Sequence, residues 1–278
     1  MPNENLNNPR SERQHNNSPL GAGGTTVVVT GGAGGIGSAI CKKFAAAGSN
    51  VVITYNSNPE KAKGLLEELN AISESLNIPI SDKHSIFHAP VNDSKRVQHL
   101  ASFIKEKYGR VDILVNNAGV TTAVPHDDLD DLTDEWIDKI FAINFRGAFA
   151  MVRACKDLLM KANDALVVNI SSVAAVSGIG SNVAYCASKA ALDSMTRSLA
   201  RALAPKIRVV SVSPGWVMGE YAKKADREFL QQQLDATPLN RFATPEDVAD
   251  AVFALTTTLK FSTGNIIPVD GGRLLGGK

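Results

Sequence analysis

The chain has 278 residues, 44% of them apolar and 21% charged, enough hydrophobic side chain for a sizeable core within a single α/β domain. Its 29 Lys and Arg against 28 Asp and Glu leave a formal charge of +1, with no basic block. There is thus no electrostatic case for a nucleic acid partner or an anionic membrane surface. Three cysteines, Cys41, Cys155 and Cys186, stand far apart without metal-ligand spacing. They argue against a disulfide framework, suggest no metal site, and fit a reducing, cytoplasmic compartment.

Residues 1–24 are polar and Asn-rich, with Pro2, Pro9 and Pro19 and no apolar stretch of the signal-peptide kind. This composition predicts a disordered N-terminal extension. From residue 25 to 278 one catalytic domain is expected. Short β-branched runs there alternate with helix-length segments, and none reaches the roughly 18 apolar residues of a membrane span.

The candidate strands are 25–30, 50–55, 85–89, 111–116, 165–171, 207–213 and 265–270. Most are apolar on both parities, as parallel strands covered on both faces must be. Between them, Phe145, Ala148, Phe149, Val152, Cys155 and Leu159 fall at helical spacing. A further helix is expected from near Ala184 to Pro205, and another after Thr244 as N-cap with Pro245 at its first position. Such alternation predicts a Rossmann-type, doubly wound, seven-stranded parallel sheet flanked by helices.

The first strand runs into TGGAGGIG, residues 30–37, and then a helix. Glycines there permit close backbone approach, and the helix N-terminus offers free N–H groups to a pyrophosphate. Two frames fit the same letters: G-x-G-x-x-G on Gly32, Gly34 and Gly37, or T-G-x-x-x-G-x-G on Thr30, Gly31, Gly35 and Gly37. The second strand ends with Tyr55, Asn56 and Ser57, where dinucleotide folds often carry a ribose-binding carboxylate. Lack of that charge removes a repulsion against a 2′-phosphate, and Asn56 and Ser57 can donate to one. NADP is therefore favoured over NAD.

Tyr185 and Lys189 lie four apart on an expected helix, so they share a face. A phenol is a poor acid–base group at neutral pH unless a nearby cation favours its ionised form. With that help Tyr185 can exchange a proton with a carbonyl or alcohol oxygen. Ser172 ends the fifth strand at the sheet edge where ligands bind.

Taken together, Thr30, Gly31, Gly35, Gly37, the run Asn116-Asn117-Ala118-Gly119, Asn144, Ser172, Tyr185, Lys189, Pro214-Gly215 and Asp270-Gly271-Gly272 resemble the short-chain dehydrogenase/reductase family over residues 25 to about 274. The resemblance selects the T-G-x-x-x-G-x-G frame. It implies Tyr185 as general acid/base, Ser172 as the group holding the reacting oxygen, and Lys189 as pKa modifier and ribose ligand. Asn144 would hold a water in a proton relay. Gly31, Gly35, Ile36, Gly37, Tyr55, Asn56, Ser57, Val91, Asn117, Ala118, Gly119, Pro214, Gly215 and Val217 would line the cofactor, with Tyr185 and Lys189. Asn116 is open to either a structural hydrogen bond or cofactor contact, and Asn144 to a helix-kink role.

The chain departs from the family at Pro90, where an acid near the adenine is usual, at Gly219 in place of a common Thr, and at Val210 in place of a common Asn. Within the family it is similar to 3-oxoacyl-acyl-carrier-protein reductases and NADPH-dependent carbonyl reductases. The resemblance implies reduction of a small-molecule ketone or aldehyde to an alcohol, in a homotetramer. The alternatives are an NAD-dependent dehydrogenase oxidising a secondary alcohol or polyol, and a non-catalytic cofactor sensor. Trp216, Met218 and Tyr221 are the expected substrate-loop residues, with plain packing as the other reading.

Overall fold

The computed structural model describes residues 24–78, 84–219 and 226–275. The expected N-terminal extension, Gly24 apart, and Tyr221 lie outside the described residues. The seven expected strands form one parallel sheet in the order β3-β2-β1-β4-β5-β6-β7. In chain order they are β1 (Thr26–Val29), β2 (Asn50–Tyr55), β3 (Ser85–His88), β4 (Ile113–Asn116), β5 (Ala165–Ile170), β6 (Ile207–Pro214) and β7 (Ile266–Val269).

Alternation along each strand sends neighbours to opposite faces. Val27 and Val29 pack with α1 (Gly35–Ala46), α2 (Pro59–Ser75) and α9 (Pro245–Thr257), while Val28 packs with α3 (Ser94–Lys107) and α5 (Ala148–Leu159). The remaining helices are α4 (Asp134–Phe141), the short α6 (Ala174–Ser177), α7 (Val183–Leu203) and α8 (Arg227–Asp235). Sheet order reverses direction between β1 and β4. The chain leaves those two strands toward opposite faces, opening a crevice at their carboxyl ends.

Two boundaries differ from the sequence reading for physical reasons. The strand expected from 111 begins at Ile113: the Val111 amide turns to the Leu158 carbonyl, and the Asp112 carboxylate takes the Thr26 amide at 2.8 Å. The helix expected from Phe145 begins with a π-helical turn, Ala142–Gly147. Asn144 is drawn out of regular α geometry there by bonds to Val120 and Ser188. Val91 presses on Gly147 so closely that a Cβ would stand 2.6 Å from its Cγ2.

Helix α9 starts as expected, with Thr244 and Asp247 forming a reciprocal capping box behind Pro245. The Arg241 guanidinium and the Thr244 amide hold the Asp247 carboxyl well below the usual carboxylate range. The contribution is therefore complete above the ordinary carboxylate pKa and is lost as pH falls through the lower folded value. Arg241 is largely exposed, so the cap matters more than the ion pair. Thr244→Ala is expected to cost about 1 kcal/mol, seen as a melting temperature lowered by ~2–4 °C in a calorimetric scan.

Candidate active site

The crevice is held open by one hydroxyl. Thr30, at the end of β1, donates to the Val115 carbonyl and accepts from the amides of Asn117 and Ala118, both at 2.9 Å. The Asn117 side chain returns the bond, donating to the carbonyls of Thr30 and Gly31. Gly31 has φ +59°, and its missing Cβ would lie 3.2 Å from the Ala118 backbone. Gly37 presses on the Gly31 carbonyl, where a Cβ would stand at 2.5 Å. Gly31 and Gly37 serve close approach within the loop, and Gly32 is buried against Ile53 and Cys41, where a Cβ would stand 2.9 Å from the Ile53 side chain.

Gly35 faces open space and is exposed, as Gly34 is. With Ile36 and Gly37 it forms the first turn of α1, which has no side-chain cap. The free N–H groups of a helix start suit a phosphate. Across the crevice, Tyr55 is half-buried with its ring 5.4 Å from that of His88, and Asn56 and Ser57 are exposed beyond it. Val91 packs on Gly147 with both its side chain and its carbonyl oxygen.

On the other side, Asn182 caps α7 by accepting from the Tyr185 amide at 2.7 Å, and its amide group donates to Thr122 and Thr121. Thr121 in turn bonds Ser181. The helix start is thereby tied to the loop after β4. Tyr185 is half-buried. Burial raises its phenol above the ordinary value, and the Ser172 hydroxyl beside it pulls the other way. Ser172 already accepts from the Ala174 amide at 3.2 Å, so its own proton is free to be donated.

Lys189 is 5% exposed and donates to the Ile170 carbonyl at 2.8 Å. Its Nζ lies 5.7 Å from the centre of the Tyr185 ring. Burial brings its pKa down to about 8, with the Asp193 charge opposing. Asn144, 1% exposed, bonds Val120 twice and Ser188 once. A Cβ on Gly119 would lie 3.4 Å from Asn144 Oδ1 and 3.6 Å from Lys189 Nζ, so those two groups border one gap.

Asn116 makes structural bonds, its amide donating to Asn169 Oδ1 and the Ala148 carbonyl, while its buried Oδ1 has no partner. The sixth strand delivers Pro214 and Gly215, whose Cβ would meet Asp270 at 3.0 Å. Val217 pairs with Ala243, but the bridge uses the Trp216 carbonyl and the Met218 amide rather than those of Val217. Trp216 packs edge-on to Phe229 of α8 at 5.3 Å. Asp270 bonds the Gly272 and Leu274 amides, while Arg273 bonds Gln233 of α8.

A family model described as Enoyl-(Acyl carrier protein) reductase matches residues 31–273. A 3-oxoacyl-[acyl-carrier-protein] reductase of Rickettsia felis is 34% identical, over 91% of this chain and 98% of its own. A putative ketoacyl reductase of the granaticin polyketide synthase of Streptomyces violaceoruber is 32% identical, over 88% and 94%. The crystal structure of a putative short-chain dehydrogenase/reductase from Burkholderia xenovorans superposes with a TM-score of 0.80 at 32% identity, covering 91% and 99%.

This chain belongs to the short-chain dehydrogenase/reductase family.

It is accordingly an NAD(P)-dependent oxidoreductase. The residues present fit a dinucleotide: an uncapped helix start beside open space at Gly35, and a buried ammonium with donors left over beyond Ile170. Among the described residues no helix is long and apolar enough to cross a membrane, and no three His, Cys, Asp or Glu gather as a metal would require. All three cysteines are free and buried, Cys186 included, and burial pushes the Cys155 thiol up to about 12.

Sequence reasoning overlooked Asn182, Ser188 and Asp193. An Asn directly before a helical run was a legible cap signal. Nothing local marked Ser188 or Asp193. Thr30→Val keeps shape but leaves the Asn117 and Ala118 amides without their acceptor. It is expected to cost roughly 3 kcal/mol in urea unfolding, more than a surface substitution could.

Proposed function

We propose that this enzyme uses NADPH to reduce a ketone or aldehyde carbonyl to an alcohol, reversibly. The observation that supports it best is the grouping of the Tyr185 phenol, the Ser172 hydroxyl and the Lys189 ammonium at the carboxyl edge of β5. When bound, reduced nicotinamide supplies the hydride to the carbonyl carbon. Ser172 donates to the carbonyl oxygen and holds it against Tyr185. Tyr185 transfers its proton to that oxygen as the negative charge develops there. Lys189 offsets the phenolate left behind and offers its remaining N–H groups to the nicotinamide ribose. Asn144 and Lys189 hold a water at Gly119, through which the phenol regains its proton.

Tyr185 alone sits too high to ionise at neutral pH, because burial outweighs the Ser172 hydrogen bond. The cation effect expected of Lys189 is thus not visible in the chain by itself. It takes hold on the phenolate formed during transfer. The carbonyl-reducing direction also accords with relatives whose names are ketoacyl and 3-oxoacyl-[acyl-carrier-protein] reductases.

The 2′-phosphate is assigned to Asn56 and Ser57 beyond Tyr55, on exposed backbone with no carboxylate before Glu60. Gly31, Gly35, Ile36 and Gly37 receive the pyrophosphate, Val91 the adenine through its backbone, and Asn117, Ala118 and Gly119 the central stretch. Pro214, Gly215 and Val217 receive the nicotinamide amide, Val217 through groups its bridge leaves unused. A cytoplasmic location accompanies this role.

Tyr185→Phe is expected to lower kcat by at least ~100-fold on a reducible carbonyl while leaving NADPH binding within a few-fold of the wild type. In fluorescence titration NADPH is expected to bind roughly tenfold tighter than NADH. A Tyr185→Phe enzyme with full turnover refutes the mechanism, and tighter NADH binding favours the oxidative, NAD-dependent reading.

The assembly is proposed as a homotetramer. Phe149 and Val183 are exposed, and Phe145, Phe149, Met195 and Leu199 line an apolar groove of about 370 Å³ between α5 and α7. Covering such a groove with a second copy removes apolar surface from water. Light scattering is expected to give four times the chain mass.

A further inference from the structure

Asp193 lies four residues after Lys189 on α7 and is 3% exposed, so the two share a face inside the protein. A carboxylate is almost never buried without a partner. Burial raises the Asp193 carboxyl above its ordinary value, while the hydroxyls of Ser171, on the turn after β5, and Ser211, on β6, and then the charges of Arg197 and Lys189 pull it back toward the ionised form. Its Oδ1 nonetheless has no hydrogen-bond partner.

The neighbourhood is a continuous buried polar line. Asn116 bonds Asn169 at 2.8 Å, Asn169 bonds Thr196 at 2.8 Å, and Thr196 bonds Ser211 at 2.8 Å. Among the described residues the charged or titratable groups around the pair are Tyr185, Cys186, Lys189, Asp193 and Arg197, all on α7. The turn after β5, β6 and the π-helical turn contribute Ser171, Ser172, Ser211 and Asn144, which are uncharged. Among the described residues Asp193 is the anion acting on Lys189, whose Nζ has Ile170 as its hydrogen-bond acceptor.

We propose that Asp193 is a positioning residue for the carbonyl-reductase reaction: its buried carboxylate is the counter-charge that keeps the Lys189 ammonium protonated one turn away beside Tyr185. The desolvation that lowers Lys189 and the attraction that raises it oppose each other. Removing the anion leaves only the lowering influence. Lys189 then loses its proton at a lower pH, and with it the charge that offsets the phenolate.

The kinetic arm of the test rests on the proposed reductase activity; the other arm does not. The full chain, without cofactor, is labelled with 13C at lysine Cε, and the Lys189 resonance is assigned by its loss in Lys189→Arg. Wild type is expected to titrate near pH 8, and Asp193→Asn on the order of one unit lower. The alkaline limb of kcat/KM is expected to move in the same direction by a similar amount. A purely structural role would lower kcat without moving either titration.

Should Asp193→Asn fail to fold, Ser211→Ala removes one hydroxyl that holds the carboxylate ionised. It is expected to shift Lys189 the same way by a smaller interval. A Lys189 resonance that titrates at the wild-type pH in the folded variant overturns the proposal. A shifted Lys189 in a protein that fails to bind NADPH upholds the coupling and removes the reductase reading alone.

Discussion

Two parallel strands that part company at their carboxyl ends create the space on which the whole site depends. β1 and β4 are neighbours in the sheet, yet the segments that follow them leave toward opposite faces. Every amide near that parting must find an acceptor or face water. Thr30 meets most of this demand with one hydroxyl, and Asn117 closes the circuit from the other side. The glycines then follow as necessities of approach. A side chain at Gly37 would collide with the Gly31 carbonyl, and one at Gly31 would press on Ala118.

The second constraint is electrostatic. Lys189 brings a positive charge to a place where water can scarcely reach, and the fold answers with the Ile170 carbonyl and an anion on the next helical turn. An ammonium in such surroundings sits near its point of deprotonation, which makes it responsive to small changes in neighbouring charge. Tyr185 is pushed the opposite way by the same burial. Their proton affinities, close together in water, are therefore driven apart, the phenol rising while the ammonium falls.

Around this centre, packing fixes orientation. Asn182 pins the start of α7 to the Thr121–Thr122 segment, and Asn144, on the π-helical turn, ties the adjoining Val120 to Ser188. Trp216 and Arg273 attach α8 to the β6 and β7 ends through Phe229 and Gln233. The α7 and β6–β7 side of the crevice is thus anchored at several points by side chains.

Strand–helix alternation, the seven apolar runs, the Thr244 cap and the spacing of Asn144, Ser172, Tyr185 and Lys189 were all legible in the sequence. Each depends on local chemistry: β-branched runs, a capping side chain, and residues set at helical intervals. The parallel order of the sheet followed from the same alternation. Tertiary structure alone decided that the Asn116 amide serves Asn169 and that the helix through Asn144 opens as a π turn. It also placed Asp193 under Lys189 and turned the Val91 side chain away toward Gly147. These depend on contacts between residues dozens of positions apart, whose energies no local pattern encodes, because burial and partner geometry exist only once the chain has closed on itself.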